Sequence, residues 1–189
     1  MSISYDYDQA NFPDIFPPPS TLEELLVGFE DYGVSGEHPG NTGGFYTNGS
    51  PSGLSGDTYA MALDGGDFAF SAVGDLSYDF AQHALYGTLE ELTLGGGLNS
   101  DGTVSSDFIT FTFENPLTAD QSEGRDNDIH DVIWGLMNGS VDGAEDSAGT
   151  PNGGGLLAVL DDAGLLDDPI PAPTTGVAST SDLDVALAA

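Results

Sequence analysis

Apolar and polar side chains alternate most regularly near the middle of the chain, where Ile109, Phe111 and Phe113 are separated by threonines. A period of two residues is typical of a half-buried β-strand, so a strand is predicted over residues 108–114. Weaker patterns of the same type predict earlier strands over residues 58–63, 68–73, 76–80 and 84–94. Glycines predict turns at residues 65–66, 74–75 and 95–97. This order predicts an antiparallel meander.

Apolar side chains recur with helical spacing in three other segments. Ser20 and Glu23 fit a capping box ahead of one such run, so a helix is predicted from there to a stop at Gly33. Two later helices are predicted over residues 128–138 and 156–163. Between the first helix and the strands, residues 33–56 are rich in Gly, Ser, Asn and Pro and predict a long loop. Prolines after residue 168 end a single predicted domain over residues 1–172, followed by a flexible tail over 173–189.

Charge is the most unusual property of the composition. Thirty-two Asp and Glu residues face one cation, Arg125, for a formal net charge of −31. This excess excludes nucleic acids and anionic membrane surfaces as partners, because both are bound through Lys and Arg. Like charges also repel each other in the compact state, and salt shortens the reach of that repulsion to about 3 Å at 1 M. The composition therefore predicts a monomer adapted to high salt; a calcium-loaded surface is the competing explanation.

Three further properties narrow the class of protein. The chain has no cysteine, which excludes disulfides and thiolate metal sites. No apolar run approaches the roughly 20 residues of a membrane-spanning helix, so no membrane insertion is predicted. The first eight residues lack the basic region and apolar core of a Sec signal.

Candidate chemistry lies in residues 74–87, which are predicted to form a strand, a short turn and a returning strand. This segment carries Tyr78 and His83, close enough in sequence to form a hydrogen bond across the turn. A phenolate is a strong ligand for ferric iron, and tyrosine is a known protein ligand of haem. Leu76 and Phe80 share a strand face with Tyr78, so the residues by themselves also allow an ordinary half-buried tyrosine.

Several stretches of the chain match one family in order. Residues 29–31, 41–45 and 54–60 match an early helix end, a glycine turn and a first strand, and residues 74–87 and 124–139 are the strongest matches. The ending, residues 182–189, is similar to a C-terminal type I export signal. On these stretches the chain resembles the secreted HasA-type haemophores of the bacterial haem acquisition system.

The resemblance implies a fold, a ligand and a role. The fold is α+β, with a curved antiparallel β-sheet, helices packed on one face, and haem held between two loops at one edge. Tyr78 and His38 occupy the positions of the two axial iron ligands, and His83 that of the histidine bonded to the tyrosine. The cofactor is ferric haem b. The implied role is not enzymatic: a secreted, extracellular carrier takes haem from the environment or host haemoproteins to an outer-membrane receptor.

The chain departs from the family pattern at both ligand positions. The stretch between Tyr78 and His83 is shorter than usual, and the loop that carries His38 is contracted. A shifted register would make Tyr86 a secondary ligand candidate. His130 is interpreted as a structural histidine, and Arg125 is the one cation that could meet haem propionates, although these are expected to face solvent.

Two other functions are weighed against the carrier. An exported acidic calcium-binding structural protein of a salt-adapted organism is suggested by the Gly and Asp content of residues 95–102, but repeated calcium motifs are missing. A hydrolase is the third hypothesis, and the sequence shows no nucleophile elbow, zinc helix motif or phosphate loop.

Overall fold

The computed structural model describes residues 2–33, 43–63, 66–146 and 148–170. The secondary structure comprises seven strands and three α-helices in these ranges. The strands are β1 (Ile3–Tyr7), β2 (Gly44–Thr47), β3 (Ser50–Pro51), β4 (Ser55–Ala62), β5 (Ala69–Asp79), β6 (Ala84–Leu98) and β7 (Val104–Ala119). The helices are α1 (Leu22–Glu30), α2 (Asp128–Met137) and α3 (Gly155–Asp162).

The strands form one antiparallel sheet in the order β1-β7-β6-β5-β4-β2-β3. Strands β4 to β7 follow each other as neighbours, which confirms the predicted meander, and the α+β class is confirmed with it. On β7, Ile109, Phe111 and Phe113 are buried while Thr110 and Thr112 are more exposed, as the alternation predicted. The helices and the sheet bury their apolar side chains in one shared core.

Two predicted turns are instead parts of strands. Strand β5 runs continuously through Gly74 and Asp75, and its register with β6 shifts between Val73 and Leu76. A side chain at Gly74 would collide with the Thr88 carbonyl on β6, so the glycine permits a close backbone approach rather than a reversal. The prediction at 95–97 is wrong for a similar reason, because β6 extends through those glycines and pairs with β7.

Short strands at the sheet edges were missed or predicted as loop. Strand β1 pairs with β7, and β2 pairs with both β3 and β4. Strand β3 has two residues and β2 has four, so neither gives a readable alternation. Their pairing partners, and not their own patterns, decide that they are strands.

The predicted helices are confirmed, with one change in the capping of α1. The N-cap of α1 is Thr21, whose side chain accepts from the Glu24 backbone N–H, so the capping pair lies one residue later than Ser20 and Glu23. Glu24 reaches back to the Ser20 backbone N–H at 2.7 Å. Helix α2 begins at the N-cap Asn127, which accepts from the His130 N–H.

The extent of the described ranges bears on the membrane and domain predictions. In residues 2–33, 43–63, 66–146 and 148–170, no helix has the length and apolar composition needed to cross a membrane. Residues 171–189 lie outside the described ranges, so the boundary at residue 172 and the tail stay predictions.

Candidate functional site

Tyr78 and His83 meet across the tight end of the β5–β6 hairpin. Tyr78 is the penultimate residue of β5 and pairs with Leu85 on β6, so it lies on a strand rather than on a loop. Its hydroxyl oxygen is 2.7 Å from His83 Nδ1. This contact confirms the hydrogen bond predicted from the spacing. It serves both states of the phenol, because Nδ1 accepts from the neutral hydroxyl and an Nδ1–H donates to the phenolate.

The turn between the two residues is short and internally bonded. Four residues, 80–83, separate Asp79 from Ala84, which pair with each other. One oxygen of Asp79 accepts from the backbone N–H groups of Ala81 and Gln82 at 2.7 and 3.2 Å. His83 completes the turn in the left-handed region, with φ of 54°. The shortened spacing therefore yields an Asx-type turn in place of a longer loop.

A second segment, at Gln121, forms hydrogen bonds to the turn. The side-chain amide of Gln121 donates to Asp79 at 2.7 Å, and a hydrogen bond from Gln82 to the Gln121 carbonyl is longer, at 3.4 Å. The Gln121 hydrogen bond is the main reason that the pKa of Asp79 lies below its ordinary value. The sequence pattern had not drawn attention to Asp79 or Gln121. The spacing of Asp79 and Gln82 directly after Tyr78 is the signal that could have revealed the turn.

Arg125 is engaged by protein groups beside the turn. Its Nε donates to the Gln82 carbonyl at 3.0 Å, and its Nη1 donates to Asp146 at 2.9 Å. This is the one ion pair among the described residues, and the Asp146 side chain is 4% exposed. Burial opposes the charged form of Asp146, but hydrogen bonds from Arg125 and from the backbone of Thr150 and Ala148 hold its pKa well below the ordinary value.

A cavity of about 520 Å³ lies next to the Tyr78–His83 pair. Its volume is within the range of small-molecule sites, and its wall is mainly apolar and aromatic. The lining residues are Gly43, Gly44, Phe45, Gly53, Leu54, Tyr59, Tyr78, Phe80, His83, Leu85, Arg125, His130, Trp134 and Met137. Leu54 and Phe80 are 54% and 69% exposed, which leaves apolar surface uncovered at this site.

His130 contributes a second imidazole to the same wall. Its Nδ1 accepts from the Leu85 backbone N–H at 3.3 Å, so the proton of the neutral ring is on Nε2. Nε2 is buried and has no protein partner. Burial lowers the pKa of His130 to about 4, and the charge of Arg125 acts in the same direction. The interpretation of His130 as a structural histidine is therefore incomplete. Its Nδ1 is bonded within the fold, but its Nε2–H, in the cavity wall, has no hydrogen-bond partner.

Trp134 and Met137 also line the cavity. Trp134 is half-buried and its ring stacks on His130 at 6.1 Å between centroids. The Met137 sulfur accepts from the Tyr59 hydroxyl at 3.3 Å. Helical spacing cannot distinguish a side chain in a packed core from one in the wall of a cavity.

The electrostatic state of Tyr78 depends on opposing influences. Burial raises its pKa above the ordinary value, Arg125 lowers it, and the nearby carboxylate of Asp79 raises it. The free protein therefore holds a neutral phenol at neutral pH. A cation at the phenol oxygen would supply the charge needed to favour the phenolate.

The remaining candidates fall outside the cavity or outside the described residues. Tyr86 follows Leu85, which lines the cavity, so the Tyr86 side chain lies on the opposite face of β6. The register pairs Tyr86 with Ser77, and Tyr86 is not among the residues that line the cavity. His38 lies in 34–42, outside the described residues. Across the described part of the chain, no group of three His, Asp or Glu side chains is placed to hold a metal ion.

Comparison with known proteins identifies the family of this chain. The family model for heme-binding protein A (HasA) matches residues 1–187. The chain belongs to the HasA family. It is 37% identical over 133 residues to the hemophore HasA of Serratia marcescens, a stretch that covers 66% of this chain and 64% of that relative. The chain thus spans slightly less than two thirds of the relative's length.

Solved structures agree with the fold of this HasA family member. The holo hemophore HasA from Yersinia pestis superposes with a TM-score of 0.63 and 22% identity, covering 88% of this chain and 93% of that one. An apo structure of the Yersinia pestis hemophore in a hexagonal crystal form gives a TM-score of 0.56 and 23% identity, over 74% of this chain and 83% of that one. At this level of identity the likeness supports the fold, and the site must be argued from the residues of this chain.

Proposed function

We propose that this protein is an exported haemophore, which captures ferric haem b and delivers it to an outer-membrane receptor for iron acquisition. Family membership supports the class of function. The observation that carries the proposal is the 2.7 Å contact between the Tyr78 hydroxyl and His83 Nδ1 beside an aromatic-lined cavity. A carrier needs one strong iron ligand and an apolar wall for the porphyrin, and this site offers both.

Tyr78 is proposed as an axial ligand because its oxygen already has a partner for its proton. In the haem-bound protein, His83 Nδ1 would accept the phenol proton, and the resulting Nδ1–H would donate to the phenolate oxygen. An anionic oxygen ligand stabilises ferric over ferrous iron, which suits transport better than oxygen chemistry.

The porphyrin is proposed to lie against the apolar wall of the cavity. Leu54 and Phe80 expose apolar surface that a flat hydrophobic ligand would cover, and Trp134 adds an aromatic side chain to the same wall. His38 stays the proposed second axial ligand. The described chain resumes at Gly43, five residues after His38 in sequence, and Gly43 lines the cavity, which is compatible with that role.

The acidic surface supports a more specific proposal, that the carrier works in high salt. With a formal net charge of −31, the folded state is destabilised by repulsion that salt screens. We expect the melting temperature of the haem-free protein to rise when NaCl increases from 0.1 to 1 M. Thermal melts followed by circular dichroism measure this, and a lower melting temperature at 1 M would contradict salt adaptation.

A titration with hemin tests the carrier function. Tyr78→Phe removes only the ligand oxygen, and Tyr86→Phe makes the same change on the other face of β6. We expect wild type and Tyr86→Phe to give a stoichiometric Soret band with a tyrosinate–iron resonance Raman signature, and Tyr78→Phe to lose the signature. Trp134, the single tryptophan, reports binding independently through fluorescence quenching. An unchanged signature in Tyr78→Phe would refute the proposed ligand.

A further inference from the structure

We infer that Arg125 is a positioning residue for haem ligation, because it holds the turn that keeps His83 against Tyr78. The inference rests on the proposed function, since it concerns the pair that would bind iron. Arg125 is assigned no contact with the iron or the porphyrin. Its action passes through the Gln82 carbonyl, one residue before His83.

Residues 121–127, here called the bracing segment, donate hydrogen bonds to the hairpin from three side chains. Gln121 bonds to Asp79 at the start of the turn, and Arg125 bonds to the Gln82 carbonyl near its end. Asn127 then donates to the Leu85 carbonyl at 3.1 Å, just beyond the turn. Three contacts on consecutive parts of the hairpin restrain its rotation as well as its distance from the bracing segment.

The turn requires such restraint because of the conformation of His83. A φ of 54° is unfavourable for a residue with a β-carbon, and it persists only where neighbouring contacts impose it. The bond from Arg125 acts on the peptide group that joins Gln82 to His83. Without it, that peptide group is less restrained against a rotation that moves Nδ1 away from the phenol.

Arginine suits this position because it offers two donors in one rigid plane. Nε meets the Gln82 carbonyl while Nη1 meets Asp146, so the guanidinium is fixed from both sides. Lysine keeps the charge but lacks the two N–H donors in one rigid plane. Asp146 is itself anchored, since its other oxygen accepts from the Ala148 and Thr150 N–H groups at 2.8 and 3.0 Å. The Arg125 and Asp146 side chains are 17% and 4% exposed, so salt screens this pair less than it screens a fully exposed one.

The test compares Arg125→Gln, Arg125→Lys and Asp146→Asn with the wild type, all as full-length protein loaded with hemin. Asp131→Asn is the matched control, because Asp131 accepts a backbone N–H from Gly155 but its hydrogen bond does not involve the hairpin. The readouts are the iron–phenolate resonance Raman band and the rate of haem transfer to apomyoglobin. Circular dichroism of the haem-free variants monitors folding.

Arg125→Gln is expected to release haem roughly tenfold faster and to shift the iron–phenolate band, as typical for loss of outer-shell support. Arg125→Lys is expected to show the same faster haem release and the same shift of the iron–phenolate band. Asp146→Asn is expected to change both properties in the same direction, by a smaller amount. Wild-type behaviour of Arg125→Gln, or full rescue by lysine, would overturn the inference. If Arg125→Gln does not fold, a change in Asp146→Asn relative to Asp131→Asn decides for the inference, and equal behaviour decides against it.

The same data separate this inference from the proposed function. A wild-type Raman band in Tyr78→Phe would refute the ligand and, with it, the whole proposal. A lost band in Tyr78→Phe together with unaltered Arg125 variants would refute only the positioning role.

Discussion

The two described histidines line one cavity from different structural settings. His83 is exposed, sits at the end of a four-residue turn and contacts the hydroxyl of Tyr78. His130 is buried in α2, and its ring is fixed to the Leu85 N–H of β6. The exposed imidazole is a hydrogen-bond partner of the proposed ligand, Tyr78. The buried one is kept neutral, so the same residue type supplies a hydrogen bond to a phenol at one position and a fixed, uncharged wall at the other.

The connection between the two settings is Leu85. Its N–H donates to His130, and its carbonyl accepts from Asn127. Leu85 also pairs across the hairpin with Tyr78. The rigid helix is therefore bonded to the strand position opposite the proposed ligand, while His83 depends on the turn and its bracing segment.

The largest expected effect concerns acid stability and comes from His130. Its pKa is about 4 in the folded protein against 6.5 ordinarily, so between these values the unfolded state binds more protons. The contribution is complete above pH 6.5 and is lost as pH falls to about 4, on the order of 3 kcal/mol in total. Urea unfolding of the haem-free protein across this window measures it.

His130→Asn isolates this contribution, since asparagine retains a side-chain acceptor for the Leu85 N–H. We expect that variant to lack the slope between pH 6.5 and 4, and His83→Asn to keep it. Carboxylates titrate in the same window, so the difference between variants is the informative quantity. Equal slopes in wild type and His130→Asn would contradict a neutral buried imidazole.

The second effect concerns haem affinity, for which His83 is expected to matter more than His130. His83→Asn is expected to weaken binding about 10- to 100-fold, because the phenolate loses its hydrogen-bonded partner. His130→Asn is expected to weaken it less. Competition with apomyoglobin gives both values. A larger loss in His130→Asn would show that the wall histidine, and not the turn histidine, supports the ligand.

The smallest effect distinguishes two helix caps. Thr21→Ala and Asn127→Ala each remove a side-chain acceptor at a helix N-terminus, at a cost of about 1 kcal/mol of unfolding free energy. Asn127→Ala also removes the donor to Leu85, so we expect it alone to speed haem loss. Thermal melts and haem-transfer rates measure the two properties. Faster loss in Thr21→Ala would point to general destabilisation.

The sequence predicted the parts of this molecule whose signals are local. The helices at residues 128–138 and 156–163, the strand around Phe111 and the Tyr78–His83 contact all follow from spacing within a few residues. Gly74 was wrongly predicted as a turn because a glycine that allows close strand approach and one that reverses the chain look alike in sequence. Strands β2 and β3 lie in a segment predicted as loop, because pairing and not their own pattern defines them.

The sequence by itself determined the charge, the helical faces and the hydrogen bond across the hairpin, because each depends on composition or on neighbours along the chain. Only the tertiary structure decided what Arg125, His130 and Trp134 do. Arg125 reaches Asp146, 21 residues away, and His130 reaches Leu85, 45 residues away. No periodicity encodes such pairs, since they exist only once the sheet and α2 pack together and exclude water from the groups between them.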